Sequence, residues 1–180
     1  MDTETGCVKL LFAARRSVRY HRHRESFLDS VHHAATLLTT CGALATIAAA
    51  ATAPDTPGAW VLPAAAGITA LAATHEAVIT PARRARRHEV LAREFAFLER
   101  DLLRIGRKPN PEALAKLQTR RLEIEATEPP VYRVLDATCH DELVTALGHD
   151  RAQRTNVTRL QRLCRHFFDL APHRIRKRAD

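Results

Sequence analysis

The chain has 180 residues, a net charge of +8 and a pI near 10.0, with Lys only at positions 9, 108, 116 and 177, so that Arg dominates its basic side. That length holds one or two units and excludes several large domains, while the Arg excess directs the chain toward anionic partners, either nucleic acid or the negative cytoplasmic face of a membrane. Cysteines at 7, 41, 139 and 164 form no CxxC pair, which excludes a metal-finger or disulfide framework and points to a reducing compartment.

Residues 8–33, VKLLFAARRSVRYHRHRESFLDSVHH, lack Pro and Gly and are expected to form a basic helix. It begins too polar, and without a small-residue cleavage site, to be a removable secretory signal. Residues 34–53 then offer twenty uncharged positions, at helical rise about 30 Å and the thickness of a hydrocarbon core. PDTPG at 54–58 predicts a helix stop and reversal. The second apolar segment, 59–80, opens on Trp60, suited to a membrane interface, and ends polar, with His75 and Glu76 ahead of Pro81.

Beyond Pro81 the spacing predicts amphipathic helices. ARRARRHEVLAREFAFLERDLLRIG carries Val90, Leu91, Phe95, Leu98, Leu102 and Ile105 as a stripe; EALAKLQTRRLEIEATE follows with Leu114, Leu117 and Ile124, as its antiparallel partner. VYRVLDATCHDELVTALG contributes Val131, Leu135, Leu143 and Leu147, with Gly148 as its stop, and a last helix is expected over 150–170 on Val157, Leu160, Leu163, Phe167 and Leu170. Nothing reads as strand. The expected organisation is all-α: a basic juxtamembrane helix (1–33), a two-span hairpin (34–80, spans 34–53 and 59–80) and a cytosolic helical region (81–180).

Hydropathy alone leaves the hairpin ambiguous, because its first segment holds nine Ala and five Thr. The flanks favour a membrane. Arg15, Arg16, Arg19, Arg22 and Arg24 precede the pair, Arg83, Arg84, Arg86 and Arg87 follow it, and the turn between carries no base and one acid, Asp55. The positive-inside rule then predicts both termini in the cytoplasm and a multi-pass protein of the inner membrane. Small residues (Gly42, Ala43, Ala49, Ala50, Gly67, Ala73) suit close helix approach and homo-oligomers. Thr36, Thr39, Ala43, Thr46 and Ala50 recur at three- and four-residue steps, as do Thr69, Ala73, Glu76 and Thr80, so Thr36, Thr39, Thr46, Thr69 and Glu76 are the candidate pore-facing or helix-packing residues. An ionisable group in a span is a functional candidate by default; otherwise Glu76 reaches toward Arg83 or Arg84, with His75 at the headgroups.

Two stretches, RYHRHRESFLDSVH (19–32) and EPPVYRVLDATCHDELVTALG (128–148), together with the hairpin and the RRARRHEVLAREF helix, resemble the SLATT family over roughly residues 15–150. These are two-transmembrane effector domains that associate with SMODS nucleotidyltransferases and SLOG nucleotide sensors in prokaryotes. The resemblance implies an α-helical membrane effector of a conflict or defence system, which oligomerises into a pore or otherwise disturbs the membrane on a sensor's signal, with no enzymatic activity. It also implies an acid in the second span, for which Glu76 is the match. The chain shows no sensor or nucleotide-synthesising domain, so it is expected to be a stand-alone effector or one whose partner is separately encoded.

Other chemistries are weaker. His21 with His23, His32 with His33, or Cys139 and His140 with Cys164 and His166 match no standard zinc spacing, and no metal is expected. Asp136, Cys139 and His140 are close in sequence, but neighbours on a helix point apart, so no catalytic set is expected. No glycine-rich phosphate cradle and no HExxH occurs, and no cofactor is expected. With two Tyr and one Trp, the chain offers few stacking platforms for nucleic acid, and the lipid bilayer is the expected partner. The alternatives are a membrane-anchored adaptor without pore activity and a soluble, basic helical protein that binds nucleic acid.

Overall fold

The computed structural model describes residues 3–51, 60–106, 109–148 and 151–175. The PDTPG turn with Asp55, the end of the first expected span and the last basic residues lie outside them. Every regular element among the described residues is helical: α1 (Thr3–Ala50), α2 (Val61–Ile79), α3 (Pro81–Ile105), α4 (Pro111–Glu125), α5 (Arg133–Ala146) and α6 (Arg159–Cys164), with 3-10 turns at Arg151–Gln153 and Pro172–Arg174. The basic helix and the first apolar segment are therefore one continuous helix, as the absence of Pro and Gly between them allows.

The chain divides into two compact units, residues 25–87 and residues 1–24 with 88–180. The first helix is thus shared, its start packing with the region that follows residue 88. In this second unit, called the bundle below, Cys7, Leu10 and Ala14 of α1 meet Leu91, Phe95, Leu98 and Leu102 of α3 and Leu114 and Ile124 of α4. The α3 residues recur at steps of four and three, one face of a helix. Val90, expected in that stripe, is exposed. Local chemistry sets the boundaries. Asn110 caps α4 by accepting from Glu112 N–H at 3.1 Å, with Pro111 at the first helical position. Gly106 and Gly148 follow α3 and α5 at φ +76 and +70, a left-handed turn that glycine adopts without strain.

The expected last helix over 150–170 is replaced by a different structure. Thr155 is held by Asp141 through its N–H (2.7 Å) and hydroxyl (2.9 Å). Thr158 and Gln161 then form a capping box that starts the short α6, and the Gln161 amide donates to the carbonyls of Leu170 (2.9 Å) and Ala171 (3.4 Å). Asp169 returns to α5, where its carboxylate accepts from Arg133 N–H at 2.9 Å and Val134 N–H at 3.0 Å. Val157 is buried against Val134 and Ala137, but Leu160, Leu163 and Phe167 are exposed.

Candidate functional site

The hairpin unit, residues 25–87, holds two helices long and apolar enough to cross a membrane. Along the two paired apolar segments its buried positions are small. Along α1 the inward side runs Ala35, Thr39, Gly42, Thr46, Ala49; along α2 it runs Ala65, Thr69, Ala72, Glu76, Ile79, each at steps of four and three. This is the 3.5-residue repeat by which paired helices keep one seam in contact. Its centre is tight: a Cβ on residue 42 would collide with Thr69 Oγ1 and lie 3.4 Å from the Ala65 carbonyl. Large apolar side chains face away, with Leu37 65% exposed, Ile47 69% and Leu71 74%, against 7% for Ala35 and Ala65.

The seam's polar atoms are mostly satisfied within their own helices. Thr39 donates to Ala35 O (2.9 Å), Thr46 to Gly42 O (2.8 Å) and Thr69 to Ala65 O (2.8 Å), the back-bonding that lets a hydroxyl sit in a helix interface without a partner beyond it. Thr36 lies outside the seam, exposed, and donates to His32 O at 3.0 Å; Ala43, Ala50 and Ala73 are likewise exposed. Of the expected face Thr36, Thr39, Ala43, Thr46 and Ala50, the inward side therefore holds Thr39 and Thr46, together with Ala35, Gly42 and Ala49.

Glu76 is the exception to this local satisfaction. Its Oε1 accepts from His32 Nδ1 at 2.8 Å across the hairpin, while Oε2 is buried and meets no hydrogen-bond donor among the described residues. It does not reach along its own chain toward Arg83 and Arg84. Thr80, at φ +48, turns the backbone immediately after it, and Pro81 restarts a helix on a new line. A β-branched residue in that left-handed region is strained by about 1–3 kcal/mol. His75 is exposed, as are Arg83, Arg84, Arg86 and Arg87.

The N-terminal arginines are placed differently, within the bundle. Arg15 pairs with Glu99 at 2.7 Å and Arg16 with Asp136 at 3.1 Å. Arg19 donates to Arg15 O at 3.5 Å, and buried Arg24 donates to His166 O at 2.6 Å with its guanidinium 4.7 Å above the Tyr132 ring. Arg22 alone of these five is classed as exposed. The exposed arginines among these nine are accordingly concentrated on the segment 83–87.

Within the bundle Tyr20, His21 and His23 lie against the segment 128–142. Tyr20 Oη accepts from Tyr132 N–H at 3.0 Å, and burial, partly offset by that bond and by Arg24, pushes its hydroxyl up to about 12. His21 Nε2 donates to Glu128 Oε1 at 2.9 Å. Its Nδ1 shares a hydrogen bond with His88 Nδ1, 2.9 Å away. His21 also stacks on Phe95. His23 turns elsewhere, to Glu142 at 2.8 Å, so the two histidines considered as a pair have separate partners. Burial raises the Asp136 carboxyl against the opposing pull of Arg16 and His140. His166 is lowered to about 4 by burial first, then by Arg165, Arg24 and His23.

Compared with family models, curated proteins and solved structures, the chain matches none. Function is therefore read from the geometry. His88 is the participant that sequence reasoning missed, and a signal existed: positions 81, 85, 88, 92 and 95 are all buried at steps of four and three, extending the α3 core stripe backward through the basic run.

Proposed function

We propose that this chain is an integral membrane protein of the cytoplasmic membrane, with both termini inside, whose hairpins assemble into an oligomer that opens a polar path through the bilayer. The observation that carries the reading is the inverted hairpin: along the paired segments mostly small residues on the inside, Leu37, Leu44, Ile47 and Leu71 on the outside, and one carboxylate oxygen, Glu76 Oε2, buried without a donor among the described residues. Outward Leu and Ile suit lipid, and buried Ala, Gly and Thr suit close helix approach. An acid at this level costs a few kcal/mol unless it faces protein, water or the interface, so a second hairpin or water is the natural partner of Oε2. The SLATT resemblance agrees in kind, with an effector triggered by a separately encoded nucleotide-sensing or nucleotide-synthesising partner.

Two measurements test this. After a carbonate wash the protein should remain in the membrane pellet; recovery in the high-speed supernatant, with salt-sensitive retention on DNA, would favour the soluble nucleic-acid-binding alternative. In liposomes the wild type should cause ion leak and Glu76→Leu should lose most of it. A leak undiminished in the variant removes Glu76 from the path, and no leak from the wild type favours the anchored adaptor.

A further inference from the structure

The bundle contains a second cluster that the membrane reading does not use. Cys139 and Glu142 stand three positions apart on α5 and share one face, and His23 of α1 packs against them. One ligand atom from each, an imidazole nitrogen, Cys139 Sγ and a carboxylate oxygen, lies within 4.8 Å of both others, and His23 Nε2 stands 2.8 Å from Glu142 Oε2. Cys139 is fully buried, whereas His23 and Glu142 are half-buried. The residue types are the ones that select a borderline-soft metal: a thiolate and an imidazole disfavour calcium and magnesium, and a carboxylate completes a set typical of zinc.

From this juxtaposition we infer that His23, Cys139 and Glu142 form a three-residue site for a divalent transition metal of the zinc class. Bonds of about 2.0–2.3 Å to nitrogen, oxygen and sulfur require donors about 3.3–3.7 Å apart around a tetrahedral ion. The carboxylate must open its contact with the imidazole and the most distant pair must close by about 1 Å, both within the reach of side-chain rotation. The proton balance is simple. The thiol loses its proton to solvent, the imidazole keeps one proton by carrying it on Nδ1, and the carboxylate is already ionised. A dication with one thiolate and one carboxylate is then neutral, which suits a buried position.

Without a cation the thiol has no reason to ionise. Burial, and after it the carboxylates of Glu142 and Asp136, push it up to about 12. On its Glu142 side the cluster borders a cleft of about 290 Å³, lined by Glu142, Thr138 and Asp141 and by Arg154, Arg162 and Arg165. Three protein ligands leave the fourth position to a water. Because the site joins α1 to α5, the bound ion acts as a clip on the bundle.

Cobalt(II) is the direct probe, since a thiolate ligand to it produces a charge-transfer absorption in the near ultraviolet. Full-length protein, purified in detergent and stripped with a chelator, should gain this band with one equivalent of cobalt(II) and lose it on adding zinc(II). Cys139→Ser should abolish the band although Cys7, Cys41 and Cys164 remain. His23→Gln and Glu142→Gln should keep it but weaken binding by at least about tenfold. No band in the wild type, or an unchanged band in Cys139→Ser, overturns the site and leaves His23–Glu142 as a plain ion pair. Should Cys139→Ser fail to fold, the affinities of the two Gln variants decide: wild-type binding in both overturns the site, and weakened binding in both supports it.

Discussion

The two units of this chain solve burial in opposite ways. In the bundle the largest fully buried side chains are Phe95, Leu98, Leu102, Leu135 and Leu143, with polar groups joined across elements, His88 to His21 to Glu128 and Tyr20 to Tyr132. In the hairpin most of the buried residues are small, Ala35, Gly42, Ala65, Ala72 and Ala85, with Leu28 and Pro81 as the larger ones; aliphatics such as Leu37, Ile47 and Leu71 are exposed, and the hydroxyls bond to carbonyls of their own helices. Water drives large apolar groups inside. Lipid does not, and it leaves close backbone approach as the source of packing. The contrast is the one that the proposed membrane reading expects of a chain built for two solvents.

The largest effect that could break this comparison is loss of a core ring. Phe95→Ala should destabilise the bundle by about 3–5 kcal/mol, since a fully buried aromatic leaves a cavity its neighbours fill only in part. Leu71→Ala, which removes a side chain 74% exposed, should change unfolding in detergent by less than about 0.5 kcal/mol. Thermal unfolding of both variants measures the difference. Equal losses would mean that Leu71 is packed against protein, and the outward face of the hairpin would need another explanation.

Two glycines of the hairpin provide the next test, of intermediate size. Gly42→Leu should cost about 1–3 kcal/mol by forcing the seam open at Thr69, whereas the chain around Gly67 leaves a Cβ in open space. Gly67→Leu should therefore fold as the wild type does. The side-chain resonances of His32 report the outcome, because they depend on its 2.8 Å contact with Glu76. A response to Gly67→Leu as large as that to Gly42→Leu would place an oligomer contact at Gly67.

How much of this was legible in the sequence differs between the units for a physical reason. Helical class, both apolar segments and the stripe Leu91, Phe95, Leu98, Leu102 follow from composition and period. Of the expected small, polar faces, Thr39, Thr46, Thr69 and Glu76 lie on the seam while Thr36, Ala43, Ala50 and Ala73 are exposed, because small residues stand side by side at 35–36, 42–43 and 49–50 and periodicity does not say which of two small neighbours turns inward. Choosing the polar neighbour favoured Thr36, which instead bonds to its own helix and stays exposed. The pairing of the 19–24 motif with 128–142 was out of reach, since it rests on side-chain bonds between distant residues. For the same reason the final segment reads as one helix by its apolar spacing, although Thr155, Gln161 and Asp169 fold it back through contacts that no local pattern encodes.

That returning segment gives the smallest of the expected effects and the finest test of how the units differ. Helix α5 begins at Arg133 without a side-chain cap from its own Tyr132, and Asp169 takes the place of one by accepting from the N–H groups of Arg133 and Val134. A carboxylate there satisfies two of the four donors a helix start leaves open and opposes the positive end of the helix dipole. Asp169→Ala should cost the bundle about 1 kcal/mol, with faster hydrogen exchange at those two amides, and Asp169→Asn should restore part of it. Thr39→Val is the matching change in the hairpin. It removes a hydroxyl whose only bond among the described residues is to Ala35 of the same helix, and it should shift stability by less than about 0.5 kcal/mol. If the Thr39 variant proves the more damaging of the two, its hydroxyl serves something beyond its own helix, and the seam is then a polar surface used between hairpins.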